Sequence, residues 1–186
     1  MSLSSSAVRA LELDRHLSVI APVQGELSRL VRCWQGAHGV SESVQTSHLT
    51  IFLYEPTPST KDMVLSSLVK ALYGQYSFSV SMGAIESFMP LSEVSYLPVL
   101  EGATDLMTLR QRCIDAVGES SSPFAYVPHL SVSNRLGQRA LTDSLQYFAS
   151  LPSTAERFVV DHLQICEHVQ GTWRCLRTVP LDTSHD

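Results

Sequence analysis

The chain has 186 residues, enough for one domain with a real core, and its hydrophobic fraction of 44% and charged fraction of 17% are those of an ordinary globular protein. A formal net charge of −5 argues against a broad basic surface gripping duplex nucleic acid, so any phosphate site has to be local and no duplex DNA partner is expected. No apolar run approaches the roughly 20 residues of a membrane span, and Met1-Ser2-Leu3-Ser4-Ser5-Ser6 carries no basic region followed by an apolar stretch, so a cytoplasmic protein with no membrane partner is expected.

In chain order, residues 16–20 read as a strand that stops at Pro22, and Val23, Leu27, Leu30, Val31 and Trp34 then recur at helical spacing, with Gly36 placed to end the helix. Residues 47–54 are rich in β-branched and aromatic side chains and read as a second strand closed by Glu55-Pro56. A helix with Ser59 as cap and Leu65, Leu68, Val69 and Leu72 as its buried stripe follows, before Gly74. Phe78, Val80, Met82 and Ala84 alternate with small residues as in a half-buried strand. Pro98 puts the next strand, 95–100, at an edge or a bulge.

Leu106, Leu109, Cys113, Ala116 and Val117 mark a third helix ended by Gly118, with a loop at 119–123. Residues 126–133 return to strand, and Leu141, Leu145 and Phe148 mark a fourth helix. Phe158 to Cys166 begins a final hairpin turning at Gln170-Gly171. A two-residue turn sets Val169 opposite Thr172 and Cys166 opposite Cys175. A disulfide there is geometrically allowed, but Cys33, Cys113, Cys166 and Cys175 form no C-x-x-C pair and reduced thiols are the default. Two strand–helix halves of similar order imply an α+β fold of two related lobes.

Ser47-His48-Leu49-Thr50-Ile51-Phe52 and Pro128-His129-Leu130-Ser131-Val132-Ser133 both contain His-x-Thr/Ser. Residues two apart on a strand share a face, so each strand offers an imidazole and a hydroxyl on one side and buries Leu49, Ile51, Leu130 and Val132 on the other. The tripeptide alone is weak evidence, because His16-Leu17-Ser18 matches it too in a chain rich in serine and threonine. Context separates them: His48 and His129 stand in corresponding places of the two halves, 81 positions apart, whereas His16 precedes the first helix and reads as structural.

This arrangement resembles the two-histidine (2H) phosphoesterase superfamily, which includes 2′-5′ RNA ligase-like proteins and 2′,3′-cyclic nucleotide phosphodiesterases, over about Leu17 to Leu181. The resemblance implies two pseudo-symmetric lobes of antiparallel sheet with outer helices around a central cleft. It implies a single domain over 1–181 with a tail at 182–186. Ser131-Val132-Ser133-Asn134-Arg135 departs from relatives that often place arginine one position nearer the histidine.

By the resemblance the chain is a phosphodiesterase hydrolysing 2′,3′-cyclic phosphates or cleaving and ligating 2′-5′ RNA linkages, with a nucleotide or RNA terminus as substrate. His48 and His129 are the catalytic pair, His129 favoured as base, and Thr50 and Ser131 hold the phosphate. Tyr126, Arg135 and Trp173 are candidates for substrate contact, with Arg139 and Arg174 as further local charge. Two opposed imidazoles can move both protons of an in-line displacement, so no metal or cofactor is expected; a zinc site on His48, His129 and His16 or His162 lacks a recognised spacing. A different phosphodiester, such as a cyclic oligonucleotide or a 2′-5′ oligoadenylate, or a non-catalytic nucleotide- or RNA-binding module, are the alternatives. Pocket shape and the loops at 87–90 and 119–123 would distinguish substrates.

Overall fold

The computed structural model describes residues 15–40, 47–122, 124–150, 157–169 and 172–183; the 170–171 turn, Pro123 and His185 lie outside them. In chain order the elements are β1 (Arg15–Pro22), α1 (Gly25–Ala37), β2 (His48–Tyr54), α2 (Lys61–Leu72), β3 (Phe78–Ser81), β4 (Glu86–Ser87), β5 (Val94–Pro98), α3 (Ala103–Val117), β6 (His129–Asn134), α4 (Gln138–Ala149), β7 (Arg157–Val160), β8 (His162–Val169) and β9 (Thr172–Pro180). Seven strands form one antiparallel sheet in the order β4-β5-β6-β2-β1-β8-β9, and β3 pairs with β7 in a separate ribbon. This is an α+β fold.

The sheet is built from two halves that meet at β2 and β6, which pair antiparallel at Leu49↔Leu130. Outward from that seam the halves repeat. Pro22 lies opposite His48 as Pro98 lies opposite His129. The β1–β2 ladder shifts register between Val19 and Ile20 and passes over Ile51; the β5–β6 ladder shifts between Ser95 and Tyr96 and passes over Val132. Ile51 and Val132 thus form β-bulges three residues after each histidine. A bulge inserts one residue and reverses the alternation beyond it, so Leu53 and Asn134, five residues after the histidines, share their face.

The opposite face is the core. Leu17, Val19 and Ala21 of β1, Leu49 of β2, Leu130 of β6, and Leu163 and Ile165 of β8 are at most 1% exposed and belong to one cluster. Buried stripes of the helices complete it: Leu27, Val31 and Trp34 of α1, Leu65, Leu68 and Leu72 of α2, Leu106, Leu109 and Cys113 of α3, and Phe148 of α4. Trp34 Nε1 donates to Asp143 at 2.9 Å, tying α1 to α4. Behind the second motif, Ser133 N donates to Ser95 Oγ at 3.1 Å, and Ser95 Oγ lies 2.7 Å from Ser144 Oγ. The register-equivalent positions of the first half, Phe52 and Val19, are apolar. Buried Glu167 accepts from Lys61 at 2.6 Å and Arg174 at 2.8 Å, pinning α2 to β8 and β9; Arg174 is therefore engaged in structure.

Several elements differ from the sequence expectation for local reasons. Helix α1 runs through Gly36 to Ala37, and the chain turns instead at Gly39, whose φ of +81° suits glycine. Ser59 is not the cap of α2, because Thr60 precedes the helix and the hydroxyls of Ser59 and Thr60 bond Thr57 at 3.1 and 2.9 Å. β5 lies inside the sheet, which excludes the edge alternative; the shift in its ladder falls at Ser95/Tyr96, and Pro98 itself pairs in register with His129. β6 begins at His129, not at Tyr126, and the 158–166 stretch splits so that β7 pairs with β3. Asp182, expected in the tail, is held by Ser77 N→Asp182 O at 2.8 Å and Asp182 N→Gln75 O at 2.7 Å.

The last hairpin has the expected register, with Val169↔Thr172 and Cys166↔Cys175. Both thiols are free, and burial together with its Cys175 neighbour pushes the Cys166 thiol up to about 12. Leu130→Ala, which opens a hole directly behind the seam, is expected to lower stability by about 2–5 kcal/mol in urea denaturation, and a loss below about 1 kcal/mol would contradict this packing.

Candidate active site

Extending the Leu49↔Leu130 register by one residue each way sets His48 across from Ser131 and Thr50 across from His129. Antiparallel partners point their Cβ atoms to the same side about 4.5–5.5 Å apart. Leu49 and Leu130 fill the core, so the two imidazoles and two hydroxyls come together on the other face.

Two adjoining cavities open there. The larger, about 460 Å³, is lined by His129, Phe88, Arg110, Tyr126 and Arg135 among others. The smaller, about 150 Å³, is lined by His48, His16, Gln35, Ser47 and Trp173. Thr50, Leu53, Ser131 and Asn134 line both, so the hydroxyls of both motifs form the wall between a cavity for each histidine. Of the sequence candidates, Tyr126 and Arg135 belong to the large cavity and Trp173 to the small one. Arg135 adopts φ +55°, the left-handed region that costs a non-glycine residue about 1–2 kcal/mol. Arg139 is exposed on α4.

The two histidines differ in surroundings. His129 Nδ1 lies 2.6 Å from the Val127 carbonyl. A carbonyl only accepts, so Nδ1 carries the proton and, in the neutral ring, Nε2 is the acceptor nitrogen. Burial holds the His129 pKa below the ordinary histidine value, partly opposed by that hydrogen bond. Its ring meets Phe88 edge-on at 5.0 Å and Tyr96 at 5.3 Å between centroids. His48 instead packs 5.4 Å from the Trp173 indole, which His16 and His168 also contact at 5.8 and 5.3 Å. His16, read as structural from sequence, therefore lines the small cavity.

Residues that sequence reasoning missed hold the bulges. Arg110 of α3 donates from Nη1 to the Ile51 carbonyl at 3.3 Å, and Gln35 of α1 donates from Nε2 to the Val132 carbonyl at 3.0 Å. Each bulge carbonyl is thus held by a side chain from the helix that belongs to the other half. The Arg110 guanidinium also lies 4.7 Å from the Tyr126 ring centroid and 5.9 Å from that of Phe52. Burial pushes the Tyr126 phenol well above its ordinary range, with Arg110 pulling the other way. The signal in sequence was faint: Gln35 and Arg110 are polar residues four positions after buried Val31 and Leu106. Asn134 and Leu53 were missed because strict alternation assigns them to the opposite face.

A family model described as the 2′-5′ RNA ligase superfamily matches residues 24–172. The chain belongs to this superfamily of two-histidine phosphoesterases, membership of which supports phosphodiesterase or RNA-processing activity. Among solved structures, it is similar to Escherichia coli LigT complexed with 3′-AMP (TM-score 0.61, 15% identity, covering 91% of this chain and 99% of that one). It is similar also to TT0787 of Thermus thermophilus (TM-score 0.63, 12% identity, covering 91% and 100%) and to Kluyveromyces marxianus Usb1 (TM-score 0.51, 11% identity, covering 92% and 100%). At these identities the likeness concerns the fold. No curated protein matches in sequence. Among the described residues, no helix is long and apolar enough to cross a membrane, and no group of three or more His, Cys, Asp or Glu side chains could hold a metal ion.

Arg110→Met and Gln35→Met each leave a bulge carbonyl without its side-chain donor. Each is expected to cost about 1–3 kcal/mol in denaturant unfolding, the penalty for an unsatisfied buried acceptor.

Proposed function

We propose that the chain is a metal-independent phosphodiesterase that hydrolyses a 2′,3′-cyclic phosphate on a nucleotide or an RNA end. The observation that carries this reading is the crossed arrangement at the seam, each imidazole opposite the other motif's hydroxyl on a face shared by two cavities. In-line displacement at phosphorus needs a proton taken from the attacking oxygen and another delivered to the leaving oxygen on the opposite side. His129, neutral to lower pH than an ordinary histidine and with Nε2 as its acceptor, serves as the base; His48 serves as the acid. Thr50 and Ser131 donate hydrogen bonds to the non-bridging oxygens and stabilise the charge that builds up on them. Tyr126 and Arg135 contact the nucleoside arm in the large cavity, and Trp173 contacts the opposite side.

The unequal cavities favour hydrolysis over ligation. About 460 Å³ falls in the range of small-molecule sites, whereas about 150 Å³ lies well below it. One nucleoside and a water are accommodated more readily than the two nucleosides that flank a 2′-5′ linkage. Trp173 beside His48 is the observation that favours a second reading, cleavage of a 2′-5′ linkage in RNA or an oligoadenylate, because an indole can stack a second base. That LigT has been crystallised with 3′-AMP and with ATP supports a nucleotide-sized ligand for this architecture.

Turnover of 2′,3′-cyclic nucleotides is expected to persist in excess chelator; activity only with added divalent metal would overturn the mechanism. Replacing His48 or His129 by alanine is expected to lower kcat by about 10²–10⁴-fold, and Thr50→Val or Ser131→Ala by about 10²-fold. Tight nucleotide binding without turnover of any phosphodiester over about pH 5–8, where histidine titrates, would point instead to a binding module.

A further inference from the structure

The two halves repeat in backbone but not in what encloses each histidine. Tyr96 takes in the second half the register position that Ile20 takes in the first, directly beside the bulge. Its ring is 6% exposed and stacks on Phe88 at 3.9 Å between centroids and 18° between planes. The Tyr96 hydroxyl donates to Glu86 Oε2 at 2.8 Å, and Glu86 pairs with Tyr96 across the β4–β5 ladder. Both rings of the stack present to His129 at steep angles, 82° for Phe88 and 67° for Tyr96. The bond from Nδ1 to the Val127 carbonyl is a third contact on the same imidazole. The His48 ring instead packs against Trp173, tilted by 48°, and lines the small cavity.

We propose that Tyr96 and Phe88 are positioning residues for His129: the stacked pair, anchored by Glu86, fixes the plane of the imidazole and shields it from water, so that Nε2 stays directed at the phosphate site. The proposal rests on the reading of His129 as the proton acceptor. Edge-to-face contacts of this kind are favourable beyond the area they bury, and two of them on one imidazole bias it toward a single ring plane. The shield also removes solvation from the charged ring, the direction in which the His129 pKa is displaced. Burial and Glu86 push the Tyr96 phenol up to about 12, so its hydroxyl remains a donor throughout the working range. Among the described residues, Tyr126 before β6, Arg110 on α3 and Arg135 after β6 are titratable or charged groups that line the cavity with His129, and His48 stands on the neighbouring strand β2.

The test is an NMR titration of the His129 imidazole alongside the pH profile of kcat/KM on a 2′,3′-cyclic nucleotide, in wild type, Phe88→Leu, Tyr96→Phe and the control Ile20→Val. A base acts in its neutral form, so admitting water raises its pKa and moves the acid limb of the profile to higher pH. Phe88→Leu is expected to raise both the His129 midpoint and the acid limb by on the order of 0.5–1 unit. Tyr96→Phe, which keeps the ring and loses the Glu86 anchor, is expected to lower kcat several-fold with little change in KM, and Ile20→Val to leave the His129 titration in place. An unmoved His129 midpoint in folded Phe88→Leu overturns the proposal. If that variant does not fold, the proposal is overturned by an unchanged kcat in Tyr96→Phe, or by the absence of wild-type cross-peaks between the His129 ring and the Phe88 and Tyr96 rings. A shifted midpoint in a protein that turns over no phosphodiester would sink the proposed function and leave the positioning role standing.

Discussion

The backbone pairing of β2 with β6 at Leu49↔Leu130 is the contact on which the rest of the site depends. Two aliphatic side chains buried against the core fix which way both strands face, because a slip of one residue would send every side chain to the opposite side. With that register, two motifs 81 positions apart in the chain become neighbours. Each bulge then adds a third inward position, Leu53 or Asn134, that an unbroken strand would turn toward the core. The helices close the arrangement by crossing over: Gln35 and Arg110 hold the bulge carbonyls of the strand contributed by the other half.

Similar backbones have been given different chemistry. Behind the second motif Ser133 N and Ser144 Oγ meet at Ser95 Oγ, whereas the first half has Phe52 and Val19 at the places of Ser133 and Ser95. In front, His129 is enclosed by aromatic rings and a backbone carbonyl, while His48 borders a small polar cavity with His16 and Trp173. The burial that encloses His129 holds its pKa below the ordinary histidine value. The departure from symmetry therefore lies in side chains and the repetition in the main chain.

Much of this was legible in the residues. Apolar spacing identified four helices, the β-branched runs identified most strands, and the His-x-Thr/Ser motifs were correctly read as facing away from Leu49 and Leu130. The hairpin register followed from the placing of Gln170-Gly171, with Cys166 opposite Cys175 as counted. The bulges were not legible, since neither Ile51 nor Val132 is a glycine and both look like ordinary strand residues. Period-two reading failed beyond them for that reason, and with it the places of Leu53 and Asn134. The approach of His16 to Trp173 depends on β1 and β9 flanking β8, a long-range pairing that no local pattern encodes. Arg110 and Gln35 each serve a carbonyl more than 50 residues away, beyond the reach of periodicity.

The strand order also bears on how the chain assembles during synthesis. β4, β5 and β6 are consecutive among the strands of the main sheet, whereas β1 must await β8, emerging some 140 residues later, for its second partner. Until then one rim of β1 carries unmet amide and carbonyl groups beside Leu17 and Val19. Such non-local closure slows folding and leaves a sticky edge exposed in the meantime. The nascent protein would thus be most vulnerable to aggregation in the interval between completing its middle strands and releasing its final hairpin from the ribosome.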